Sequence, residues 1–120
     1  AQAQIRKWKA QIESIQDRPI LDMADQIAAA GDVDSLQAAI SQAGQVPEGR
    51  ALYGEARSKI QQWTAQIQRT QDQPILDQAR AYANAGDLRS AVSIAQQIRS
   101  GRSLYNEAQA DINRWRDRLE

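Results

Sequence analysis

Apolar residues in this chain fall three and four positions apart. Tyr53, Ala56, Ile60, Trp63, Ile67 and Thr70 step 3-4-3-4-3. Tyr105, Ala108, Ile112, Trp115 and Leu119 keep that rhythm, as do Ala1, Ile5, Trp8, Ile12 and Ile15. Such spacing draws one stripe along a helix, close to a heptad seam. No stretch alternates with period two, so no sheet is expected. From Pro47 to about Thr70 the pattern predicts a helix of ~24 residues, ~36 Å long.

Proline and glycine set the predicted breaks. Asp17 precedes Pro19 and Asp72 precedes Pro74 by two positions. Proline suits a first helical turn, where its missing N–H has no intrahelical partner, and an Asp just ahead suits a cap. The long helices are therefore expected to end at these prolines, with short helices starting near 19 and 74. Their inner faces are Ile20, Leu21, Ala24, Ile27 and Ala28, matched by Ile75, Leu76, Ala79, Tyr82 and Ala83. Asp22 and Asp77 then fall in a first turn, which favours negative charge. Gly31 and Gly86 are expected as left-handed C-caps, and Asp32 and Asp87 as N-caps of a second short helix. That helix buries Val33, Leu36, Ala39 and Ile40, or Leu88, Ala91, Ile94, Ala95 and Ile98.

The pattern occurs twice. Trp8, Gln11, Ile12, Gln16, Asp17 and Pro19 return 55 positions later as Trp63, Gln66, Ile67, Gln71, Asp72 and Pro74. Gly31, Asp32 and Ser35 return as Gly86, Asp87 and Ser90. GRALYGEA at 49–56 returns as GRSLYNEA at 101–108, now 52 positions on. Residues 1–8, AQAQIRKW, match AQADINRW at 108–115. The expected fold class is all-α, a tandem helical repeat of α-solenoid type. Each unit is one long Trp-bearing helix plus a short helical hairpin. Residues 1–120 are expected to form a single helical-repeat domain. Repeat 1 spans about 8–62 and repeat 2 about 63–115, with partial repeats at both ends. The partial ends predict a piece of a longer array.

The stretch ARAYANAGDLRSAVSIAQQI (79–98) resembles a tetratricopeptide helix pair. Ala79, Tyr82, Ala83, Gly86 and Ala91 hold comparable places. The period is 52–55 residues where that family has 34, and the Trp helix has no counterpart there. The resemblance covers about 40 of the 120 residues. The fuller unit, W…QD.PIL..A…GD…GR.LY.EA…I..W, resembles repeats in cyanobacterial proteins described as chromosome segregation ATPases. This chain has no GxxxxGK[ST] phosphate loop to match that description. What the resemblance implies is a tandem helical scaffold with no catalytic residue to carry over.

Composition narrows the function classes. Fifteen Lys and Arg balance fifteen Asp and Glu, removing the electrostatic case for nucleic acid or an acidic membrane. There is no His and no Cys, which removes most zinc, haem and thiol chemistry and the commonest general base. No cofactor is expected. The hydrophobic share is 42%, but much of it is Ala, which fits a thin helix-packed core. No apolar run approaches ~18 residues, so no membrane insertion of this segment is expected. The abundant Gln falls on helix faces as uncharged surface.

Trp8, Trp63, Trp115, Tyr53, Tyr105, Leu52 and Leu104 are the expected structural core of the repeat. Each Trp sits on the apolar stripe with Ile three or four residues away, and ring burial dominates local packing. Arg50, Arg102, Glu55 and Glu107 recur in both copies. They are candidates for inter-repeat contacts, or for gripping a carboxylate or peptide end. Arg114, Arg116 and Arg118 interleave with Asp111, Asp117 and Glu120, the pattern of a solvated face. The expected function is a non-catalytic scaffold or protein–protein interaction segment. A self-associating coiled-coil module, with the 3-4 seam pairing between chains, is the alternative. An enzyme or nucleotide-binding domain has no motif behind it. Partner identity and compartment are not encoded legibly.

Overall fold

The structure, a computed structural model, describes residues 1–119. It is all-helical: α1 (Gln2–Ala28), α2 (Val33–Ala43), α3 (Tyr53–Asn84), α4 (Leu88–Ala95) and α5 (Tyr105–Leu119). No strand occurs among the described residues. Two compact units partition the chain, residues 1–67 and the residues from Gln68 onward. None of the helices described is long and apolar enough to cross a membrane.

The prolines do not end the long helices. Pro19 lies inside α1 and Pro74 inside α3. An interior proline removes one i→i−4 hydrogen bond and costs up to ~3 kcal/mol against Ala. Each proline ring lies on the exposed face, and buried side chains on the opposite face hold the helix together. Asp17 and Leu21 flank Pro19 and are buried, as Asp72 and Leu76 are around Pro74. The carbonyl that Pro19 leaves without a donor belongs to Ile15, an exposed residue within reach of water. Asp17 and Asp72 are accordingly not caps, and Asp22 and Asp77 sit in helix interiors.

The glycine turns follow the sequence. Gly86 has φ of +92°. Its N–H donates to the Ala83 carbonyl and that of Asp87 to Tyr82, the paired bonds of a Schellman cap. Gly31, at φ +79°, turns the chain after α1, its N–H donating to the Ala28 carbonyl. A Cβ at either position would strain the left-handed backbone. Asp32 and Asp87 then cap α2 and α4, accepting from the Ser35 and Ser90 N–H groups at 3.2 and 3.1 Å. Hydrogen bonding to the Ser35 and Ser90 side chains, with these backbone bonds second, pulls both carboxyls below their ordinary pKa.

In the first unit α1 packs on α2, and the start of α3 completes the core. Leu21, Leu36, Ala39, Val46, Trp63 and Ile67 are buried in one cluster. In the second unit α4 packs on α5. There Ile112 and Trp115 are buried among Ala79, Ala83, Ala91 and Ala95, while Leu76, Ile98, Leu104 and Ala108 form a second cluster. Alanine floors let a helix bearing an indole approach closely, which is how so Ala-rich a composition still makes a core. Tyr82, expected inside, is 40% exposed.

Candidate functional site

The most elaborate chemistry in each unit is a guanidinium clamp. Gly49 and Gly101, both at φ +89°, turn the chain into the segment carrying Arg50 or Arg102. Arg50 donates from Nε to Asp17 Oδ2 at 2.9 Å and from Nη2 to Asp17 Oδ1 at 3.2 Å. A further Nη2 bond reaches Gln16 Oε1 at 2.9 Å. Arg102 does the same to Asp72, at 2.7 and 3.1 Å, and to Gln71, at 3.0 Å. Fork-to-carboxylate pairing is strong and directional. The paired carboxylate raises the pKa of each guanidinium further, with partial desolvation opposing it.

The same segment is pinned through its backbone. The Ala51 N–H donates to Glu13 Oε1 at 2.9 Å, and the Ser103 N–H to Gln68 Oε1 at 2.8 Å. An acid in one unit and an amide in the other present the same acceptor. With Leu52 and Leu104 buried beside these turns, each clamp fixes where α3 or α5 begins. Tyr53 and Tyr105 are half-buried at the first residue of those helices.

Other charges lie nearer the rim. In the first unit Arg18 grips Glu55 at 2.5 and 3.1 Å, and Lys59 meets Asp25 at 2.9 Å. The Arg18 guanidinium holds the Glu55 carboxyl below its usual range. In the second unit Arg80 bonds Asp111 at 2.8 Å and lies 3.3 Å from Glu107. Asp111 also accepts from Arg114, and its side chain is only 2% exposed. Arg116 and Arg118 occupy the last turn of α5, where the helix dipole favours cations.

Arg50, Arg102, Glu55 and Glu107 are thus all paired inside their own compact units. Neither clamp arginine has its fork open to an incoming carboxylate. Among the described residues no group of three or more Asp or Glu is placed to hold a metal ion, and none of their buried side-chain nitrogens or oxygens lacks a partner. Two depressions on the surface are shallow. One runs along α1 beside Lys7, Ala10, Gln11, Ser14 and Ile15, and another lies by Tyr82, Arg89, Ser90 and Ile94.

The three tryptophans part company. Trp63 and Trp115 are 8% and 6% exposed. Trp8 is 53% exposed, which corrects its assignment to the core. Ile5, Ile12 and Ile15 on the same stripe are more exposed still, at 56–75%. The reason is the order of elements. Trp63 is covered by the helical pair formed from the end of α1 and α2, and Trp115 by the end of α3 and α4. Among the described residues no helical pair packs on Trp8.

Sequence reasoning found the clamp arginines but not their partners. The signal was present, since Gln16 and Asp17 recur at 71 and 72. Asp25 with Lys59, and Arg80 with Asp111, carried no such signal. The residue 55 positions after Asp25 is Arg80, and 52 after Lys59 is Asp111, so the signs are reversed. No protein-family model, curated protein or solved structure matches the chain.

Proposed function

We propose that this chain is a stretch of non-catalytic helical-repeat scaffold that presents helix faces to protein partners. The unit would be a long helix running through its proline into one arm of a hairpin, a Gly-Asp turn, the second arm, and a Gly-Arg turn into the next long helix. The observation that carries this reading is the twofold occurrence of the clamp. Arg50 with Asp17 and Gln16, and Arg102 with Asp72 and Gln71, use the same atoms at distances agreeing within 0.2 Å. Groups spent on holding a helix start in each copy serve stacking, a task every unit shares. The tetratricopeptide resemblance points the same way.

A thermal-shift panel tests it. ATP, GTP, Mg²⁺, Zn²⁺ and a short duplex DNA should each leave Tm within about 1 °C. A saturable, ligand-dependent rise of several degrees would give the chain a small-molecule or nucleic-acid site and overturn the scaffold reading. A second reading, self-association through a coiled-coil seam, draws on the exposed 3-4 stripe of Ile5, Trp8, Ile12 and Ile15. Sedimentation at rising concentration separates the two, since a constant monomer mass removes it.

A further inference from the structure

The first half of α1 is an apolar helix face that joins no hydrophobic cluster of the described residues. Ile5, Trp8, Ile12 and Ile15 lie within about 80° of one another around the helix, each at least half exposed. Glu13, Asp17, Leu21 and Ala24, the residues that bury α1 in its own unit, project from roughly the opposite side. A contiguous exposed stripe of this kind marks an interaction site. We propose that it docks a two-helix hairpin with an alanine-rich inner face, of the build this chain folds at 20–43 and 75–98. The inference rests on the tandem-repeat reading above and names the partner for one face of it.

Two examples within the molecule show what the stripe takes. Ile67 and Trp63, its counterparts on α3, are buried with Ala24, Leu36, Ala39 and Ala43 of the preceding helical pair. Ile112 and Trp115, its counterparts on α5, are buried with Ala79, Ala83, Ala91 and Ala95. Small side chains recur because an indole and two isoleucines already fill the space between helix axes. A second copy of this chain is a poor occupant, because its two hairpins already hold its own Trp63 and Trp115.

Charge refines the partner. Four residues before each buried Trp stands an address residue, Lys59 against Asp25 and Asp111 against Arg80. Both signs flip together between the two sites. Each hairpin therefore attracts its own long helix and repels the other one, a specificity device of like-charge rejection. On α1 the address residue is Gln4, which is neutral. The occupant accordingly presents an uncharged group there. Arg6, Lys7 and Lys9 follow with no acid before Glu13, so carboxylates flank its apolar face.

The test uses the full 120-residue chain with a second stretch of its own residues 13–55 placed ahead of Ala1. Residue 55 then precedes Ala1 as it precedes Ala56, which keeps the register. Trp8→Ala should lower Tm by roughly 10 °C in the extended chain and by no more than about 1 °C in the unextended one. Gln4→Lys should raise Tm against the added Asp25, and Gln4→Asp should lower it. A second extended chain, carrying residues 68–107 ahead of Ala1, presents Arg80 and should reverse that order. The proposal is overturned if Trp8→Ala is silent in both extended chains, or if neither melts cooperatively. It is also overturned if the unextended chain dimerises through Trp8, which would assign the face to helix pairing. A silent Trp8→Ala beside a costly Trp63→Ala would sink this proposal and leave the scaffold reading standing. A ligand-raised Tm would do the reverse.

Discussion

Residues 1–15 and 56–70 carry one pattern and meet opposite fates. Ile5, Trp8 and Ile12 match Ile60, Trp63 and Ile67 position for position. Trp63 and Ile67 are each 8% exposed, whereas Trp8 and Ile12 are more than half exposed. The local pattern therefore specifies which face of a helix seeks cover. It does not specify that cover exists, which depends on a helical pair elsewhere in the chain. Periodicity lives at the level of local structure, and burial at the level of packing.

The largest effect separates the two tryptophans. Trp63→Ala deletes an indole from a closed core and should cost roughly 3–5 kcal/mol, read as a lower urea midpoint. Trp8→Ala removes a side chain that is mostly in water and should cost under about 0.5 kcal/mol. Equal losses would mean that the two stripes are packed alike.

Next comes the pair of address sites. Asp111 is buried and takes two arginines, while Asp25 is 47% exposed by side chain. Asp111→Ala should cost about 2 kcal/mol, because it empties a desolvated acceptor site. Asp25→Ala breaks an exposed ion pair and should cost about 0.5 kcal/mol or less. Raising the salt concentration should shrink the Asp25 effect and hardly alter that of Asp111. A common cost would make the burial difference irrelevant.

Smallest is the dependence on pH. Glu55, Asp32 and Asp87 have carboxyls held below their ordinary pKa in the folded chain. A lowered folded pKa adds stability that is present above the unfolded value and lost as pH falls through the folded one. Stability should thus decline below about pH 4. With no His in the chain, Tm should be level between about pH 5 and 8. A midpoint near pH 6 would contradict that assignment.

Much of the fold is legible in the sequence, and the parts that are not share a cause. Helical spacing, the Gly31 and Gly86 turns, and the Asp32 and Asp87 caps are local, so adjacent residues encode them. Pro19 and Pro74 mislead, because a local rule predicts a helix start where long-range burial of Asp17, Leu21, Asp72 and Leu76 keeps one helix continuous. The clamp was half visible: Arg50 and Arg102 stood out by recurring, but their acceptors lie 30–34 residues away. Glu13 and Gln68 were hidden by their different chemistry, although both offer one oxygen to one N–H. The sign reversal between Asp25 and Arg80 leaves no trace of likeness at all.

The central claim is that one stripe is covered on α3 and bare on α1. Amide hydrogen exchange on the native chain tests it most directly. An unpacked helical stretch of about a dozen residues is marginal in water. The amides of residues 2–12 should therefore exchange within about tenfold of free-peptide rates, while those of 57–67 are slowed by a factor on the order of a thousand or more. Matching protection in the two stretches would contradict the account.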